Sequence, residues 1–140
     1  MNTTVIPQPA GKLMNVTLWG AQVLLALVYI AAGSMKVTQP IAELAVSIPW
    51  TGVTPESFVR VIGLIDLAGG IGILVPALTR IKPGLTVWAA TGCSTLQICA
   101  MLFHLSRGEF AVLPINLVLL SLSLFVLWGR KNEYTIRGRI

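Results

Sequence analysis

Charge is missing from four stretches of this chain, each long enough to cross a bilayer, and that absence limits the fold more than any motif does. Residues 13–35 carry no charged side chain, 61–79 carry only Asp66, 83–106 carry none apart from the titratable His104, and 110–129 carry none. An α-helix rises about 1.5 Å per residue, so roughly 20 residues span a hydrocarbon core about 30 Å thick. With 55% hydrophobic and 11% charged residues over 140 positions, the chain has too little polar surface for a soluble globule. The expected fold is all-α: one integral membrane four-helix bundle, with spans over about 13–37, 56–79, 85–105 and 110–129. Residues 1–12 and 130–140 are expected to be its polar ends, the tail from Arg130 onward lying in solvent or against lipid headgroups.

The basic residues give the orientation. Lys12, Arg80, Lys82, Arg130, Lys131, Arg137 and Arg139 would share one side, and Lys36, Arg60 and Arg107 the other. The positive-inside rule then places both termini in the cytoplasm, for a multi-pass protein of the cell (inner) membrane. Trp19, Trp88 and Trp128 fall near the cytoplasmic ends, where an interfacial belt belongs. The net charge of +5 therefore reads as a topology signal and an attraction to anionic lipid. Nucleic acid is not an expected partner, because no basic stripe with interleaved aromatics is present. The first apolar run is too long for a signal-peptide core and its flank has only Lys12, so it is read as a retained helix.

Between the spans, Pro40 stops the first helix. Ile41, Leu44, Ala45 and Ile48 then recur at the spacing of a short amphipathic helix in the first outer loop, ended by Pro49-Trp50. Thr54-Pro55-Glu56 reads as an N-cap, a first-turn proline and a first-turn acid for the second span. Lys82-Pro83-Gly84 makes a tight inner turn, and Ser106 to Glu109 a short outer one. Cys93 and Cys99, six apart on one helix, cannot bridge, and with a single His they cannot close a zinc site, so no metal is expected.

A carboxylate deep in a span costs about 2.5–3.5 kcal/mol on insertion scales, so Asp66 needs a partner. Polar groups also stand at the outer ends: Lys36 closes the first span, Arg60 opens the second and His104 closes the third. One layer deeper, Tyr29, Asp66, Gln97 and Asn116 come one from each span, and the cytoplasmic half offers nothing comparable. Tyr29, Ala32, Gly33 and Lys36 share a stripe, as do Gly63, Asp66, Gly69, Gly70 and Ile73, and Gln97, Met101 and His104. Glycines beside Asp66, and the Ala68-x-x-x-Gly72 pattern, let helices approach closely. Arg60 stands about 120° around its helix from Asp66, so Lys36 or His104 is the better partner. The expected site is a polar pocket near the outer leaflet formed by Tyr29, Lys36, Arg60, Asp66, Gln97, His104 and Asn116. Each of these also has a plainer reading, as a snorkelling anchor or as interhelical hydrogen-bond glue.

Three segments carry a family resemblance: Tyr29-Ile-Ala-Ala-Gly33-Ser-Met-Lys36, Arg60-Val-Ile-Gly63-Leu-Ile-Asp66-Leu-Ala-Gly69-Gly-Ile-Gly-Ile-Leu-Val-Pro76, and Met101-Leu-Phe-His104. Together they resemble the DoxX-like family of small four-helix membrane proteins, over about Leu25 to Arg130. The family was named for a membrane subunit of a thiosulfate:quinone oxidoreductase, and relatives accompany other redox systems. The resemblance implies fold and pocket, and carries Lys36, Arg60, Asp66 and His104 over as site residues. The acid of the second segment is often Glu in the family, and Asp66 is a methylene shorter.

Two functions follow as expectations. In the first, a redox-associated accessory subunit binds a quinone or another lipophilic molecule in the pocket. Asp66 and His104 pass a proton there, and Lys36 or Arg60 polarises a carbonyl oxygen. No cofactor motif is evident, with no haem pair, C-x-x-C or dinucleotide fingerprint in the sequence, so electrons would come from a membrane or peripheral redox protein partner. In the second, a non-catalytic assembly protein uses the polar cluster to hold its bundle together and docks other membrane components on its glycine-lined faces. Whether the chain is an enzyme is left open, as is association with further copies of itself. A transport path is a weaker reading, since the inner half lacks polar lining.

Overall fold

The charge-free stretches fold as helices because a bilayer-spanning backbone must satisfy its own hydrogen bonds. The computed structural model describes residues 9–138. Of the polar lead expected over residues 1–12, residues 1–8 lie outside the described residues, as does Arg139 of the charge count, and residues 9–12 are already helical. In chain order come α1 (Pro9–Thr38), α2 (Ile41–Ser47), a 3-10 turn at Pro49–Gly52, α3 (Glu56–Thr79) and α4 (Gly84–Ser106). A second 3-10 turn at Phe110–Val112 leads into α5 (Leu113–Trp128), which runs on into a π-turn at Gly129–Glu133. Four segments are long and apolar enough to cross a membrane: Gly11–Thr38, Glu56–Thr79, Gly84–Ser106 and Phe110–Asn132. The protein is a multi-pass helical membrane bundle.

Several boundaries differ from the sequence reading. α1 begins at Pro9, where a proline costs the helix no hydrogen bond because first-turn N–H groups have no intrahelical acceptor. Thr54 does not cap α3. Its hydroxyl donates to the Trp50 carbonyl at 3.1 Å, and Pro55 occupies the cap position without a side-chain hydrogen bond. The inner turn between α3 and α4 is tight enough to force Arg80 and Lys82 into left-handed backbone, at φ 58° and 48°.

The spans pack as a ring, α1 against α3, α3 against α4, α4 against α5 and α5 back against α1, the first contact being the most extensive. Leu25, Ala26, Tyr29, Ile73, Ala90, Cys93, Leu119 and Val126 form its buried centre. Large apolar side chains such as Leu27, Leu64, Leu102 and Leu117 face outward, where the solvent is lipid.

Two glycines set the closeness of α1 and α3. A Cβ on Gly33 would lie 2.7 Å from the Gly63 carbonyl oxygen, and one on Gly63 would lie 2.8 Å from the Lys36 Cβ. Neither fits, so this pair of helices meets backbone to backbone at the level of Lys36 and Asp66. Gly69 and Gly72 face the other way, with Cys93 and Ala89 of α4. The expected small-residue faces are thus partly occupied within the chain, with Ala68 exposed beside Gly69 and Gly72.

Candidate functional site

Close approach of α1 and α3 brings a cation and an anion into contact. Lys36 Nζ lies 2.6 Å from Asp66 Oδ2, and both side chains are largely buried. Burying two charges is tolerable only when geometry is good and the charges meet. That pair resolves the partner question for Asp66 in favour of Lys36.

Arg60 goes elsewhere, which corrects its assignment to the pocket. Its Nη1 donates to the carbonyl oxygens of Lys36 and Gln39 at 2.8 and 2.7 Å, and its Nη2 meets Glu56 at 3.0 Å. A cation at a helix C-terminus satisfies last-turn carbonyls that lack intrahelical donors. The physical reason is the rotation already evident along α3: the face that carries Arg60 looks at the end of α1, and the face that carries Asp66 looks inward.

The other six expected residues, Tyr29, Lys36, Asp66, Gln97, His104 and Asn116, line one cavity of about 510 Å³ at the end of the bundle opposite Arg130 and Tyr134. Its wall is mostly apolar, with Val28, Ile62, Leu96, Ile115 and Leu119 among the lining side chains. The 3-10 turn after α2 supplies a cover. Trp50 stands edge-on to Phe58 and Phe103, with ring centroids 6.0 and 5.9 Å apart, and Lys36 Nζ lies 5.8 Å from the Trp50 ring. Concave, apolar and carrying a few fixed polar groups, the cavity has the size and lining of small-molecule sites in general.

Polar atoms within it are incompletely used. Gln97 Nε2 donates to the Tyr29 hydroxyl at 2.6 Å, which ties α4 to α1. Among the described residues, Gln97 Oε1, His104 Nδ1 and Asn116 Nδ2 are buried without a hydrogen-bond partner. The three residues are 6%, 8% and 9% exposed, so bulk water does not serve them. If the Gln97 amide were turned round, the hydroxyl would donate to its oxygen and the nitrogen would be left over instead. Either way one end is unpaired. His104 Nδ1 lies 3.8 Å from Glu109 Oε2, too far for a hydrogen bond.

Two lining residues were missed in the sequence. Glu109 reaches the cavity because the turn after α4 folds back, its N–H donating to the His104 carbonyl at 2.9 Å, and its carboxylate also pairs with Arg107. Trp50 was read only as a helix breaker. An aromatic directly after a proline, ending an interfacial helix, was the available signal for a cover over the bundle.

The expectation that the cytoplasmic half holds nothing comparable, and that Arg130 starts a solvated tail, is also corrected. Arg130 is buried. Its Nε donates to Gln22 Oε1 and its Nη1 to Asn15 Oδ1, both at 2.7 Å, and Nη1 donates to the Tyr134 carbonyl at 3.0 Å. Gln22 Nε2 in turn donates to the Ile73 carbonyl of α3 at 2.8 Å, and the guanidinium carbon lies 5.0 Å from the Trp19 ring. The π-turn folds the chain inward after Trp128, and Gly129 lies so near Leu18 that a Cβ would come within 2.5 Å. Asn15, Trp19 and Gln22 recur at i, i+4 and i+7, a stripe that could have been read as a polar seam on α1.

The DoxX-like family model matches residues 20–126, which take in all six residues around the outer cavity. No curated protein and no solved structure matches the chain at a significant level. With four spans, the Lys36–Asp66 pair and a family match over most of its length, the chain belongs to the DoxX-like family.

Proposed function

We propose that the protein binds a lipophilic molecule with a carbonyl- or hydroxyl-bearing head, quinone-like in its chemistry, in the cavity between α1, α3, α4 and α5. It would do so as an accessory subunit of a redox system in the cell membrane. The observation that carries this reading is the set of unpartnered atoms on Gln97, His104 and Asn116 around an apolar space of about 510 Å³. An unpaired buried polar group costs about 1–3 kcal/mol, so three together favour a ligand that offers the missing acceptors and donors.

The donor set fits a quinone head. Asn116 Nδ2 and the Lys36 ammonium are placed to donate to carbonyl oxygens, and Gln97 Oε1 accepts from a hydroxyl of the reduced form. His104 can do either, according to its tautomer. Such a ligand supplies the electron-accepting ring, and the chain's own residues hold its head and exclude water. Electrons would come from a partner protein. Asp66 holds that ammonium in place through their 2.6 Å contact.

One observation favours the assembly reading over part of this site. The Lys36–Asp66 pair and the Arg60 contacts to Lys36 and Gln39 are complete without any ligand, so they serve the bundle on their own. Gly33, Gly63 and Gly70 are used between α1 and α3, while a shallow groove lined by Ala68, Gly69, Gly72 and Gly92 stays open between α3 and α4.

The direct test is to purify the protein into lipid nanodiscs from its native membrane and identify co-purifying small molecules by mass spectrometry, for the wild type and for Asn116→Leu. A discrete lipophile in the wild type and its loss in the variant are expected. Bulk phospholipid alone in both would sink the proposal and leave the cluster a structural one.

A further inference from the structure

We infer that the opposite end of the bundle carries a second site, one for a phosphate-type anion, between the N-terminus of α4 and the π-turn after α5. Arg130 is 3% exposed, and none of the described side chains offers it a carboxylate within ion-pair distance. Its hydrogen-bond acceptors are the amide oxygens of Asn15 and Gln22 and the Tyr134 carbonyl, all neutral. Among the described side chains the buried charge is therefore solvated by dipoles, which is expensive for an ion out of water.

One arm of the guanidinium is left over. Arg130 Nη2 has no hydrogen-bond partner among the described residues, and neither has the Thr86 hydroxyl of α4, whose residue is 1% exposed. Both residues line the same hollow of about 270 Å³, together with Gly84 and Lys131. Gly84 opens α4, whose 23 residues make its N-terminus a positive dipole end, although the Leu85 and Thr86 N–H groups already donate to the Lys82 and Pro83 carbonyls. A guanidinium arm, a hydroxyl, a helix N-terminus and a lysine converge on one small space. That combination suits a tetrahedral oxyanion, for which Arg supplies directional donors and Lys a point charge.

Two sources share this chemistry: the phosphodiester of an anionic phospholipid and free inorganic phosphate. Trp88 lines the same hollow and is strongly exposed, which sets the space at the depth of an interfacial aromatic, where headgroup phosphates lie. The lipid is the occupant that this placement favours.

The test uses the full chain in phosphatidylcholine nanodiscs. Thermal midpoints are read as phosphatidylglycerol replaces part of the lipid and, separately, as inorganic phosphate is added at constant ionic strength. A saturable rise is expected in the wild type. A rise with phosphatidylglycerol alone names a headgroup, and one with inorganic phosphate names the soluble ion. Thr86→Val should weaken the half-saturating concentration about tenfold, the worth of one hydrogen bond to a charged group, and Thr86→Ser should bind like the wild type. If neither anion raises the wild-type midpoint, or if Thr86→Val responds as the wild type does, there is no such site. Should Thr86→Val fail to fold, the exposed Lys131 decides the matter: a severalfold loss in Lys131→Gln supports the site, and an unchanged response overturns it.

Discussion

At one end of this bundle Arg130 finds three neutral oxygens within hydrogen-bond distance and leaves only its Nη2 arm and the nearby Thr86 hydroxyl over, while at the other end Gln97, His104 and Asn116 each keep a polar atom without a protein partner around a larger cavity. Both groups are buried, and both join α1 to another span. They differ in what the surrounding side chains leave behind. Around Arg130 the amides of Asn15 and Gln22 point at the charge, and the Ile73 carbonyl fixes the orientation of Gln22. Around Asn116 a cavity remains, its wall mostly apolar with a few polar groups. A polar group that answers its neighbours holds a fold together. One that answers nothing in the chain asks for a ligand.

Substitutions at the two ends should differ in the size of their effects. The largest concerns Lys36→Met, which strands the Asp66 carboxylate. Breaking a buried pair costs about 3–5 kcal/mol, whereas the double variant Lys36→Met/Asp66→Leu should recover most of that loss. Thermal unfolding in detergent reads both, and a single variant as stable as the wild type would mean the pair is not buried in the membrane. Next comes Gly63→Val, where the new side chain meets Lys36 and Val37. Overpacking of this kind costs about 1–3 kcal/mol and should also weaken ligand retention by moving α1 away from α3. Retained affinity with lowered stability would separate the glycine contact from the cavity.

The inner knot supplies the third test. Gln22→Leu removes an acceptor from Arg130 and a donor from the Ile73 carbonyl, for a loss of about 1.5–3 kcal/mol with no effect on ligand at the outer cavity. The smallest stability effect belongs to Asn116→Leu. It removes an unpartnered group, so the midpoint should stay within about 1 kcal/mol of the wild type or rise, even as the ligand is lost. A large destabilisation there would show that Asn116 is structural glue after all.

The outer layer was legible in the sequence because depth alone identifies it. Tyr29, Asp66, Gln97 and Asn116 stand at matching distances from the ends of charge-free runs, and a helix converts that count directly into height. Rotation was partly legible, since the angular offset of Arg60 from Asp66 already argued against their pairing. What Arg60 does instead depends on where α1 ends and α3 leans, which no single run encodes. Arg130 was misread for a different reason. A basic residue just past an apolar run looks like a topology signal, and only the π-turn after Trp128 shows that the chain curls back to bury it. Asn15 and Gln22 sit in an otherwise apolar helix, and their helical spacing was the available signal.

Trp50, at the rim of the outer cavity, is placed to report whether a quinone-like head binds there as proposed. A short-tailed ubiquinone analogue would be titrated into nanodiscs of the wild type, Trp50→Phe and Asn116→Leu while tryptophan emission is followed. Quenching of the wild type should contain a saturable component that is absent from Trp50→Phe and shifted to much higher concentration in Asn116→Leu. Linear, unsaturable quenching of the same slope in all three would reflect partition into lipid alone and would contradict the account.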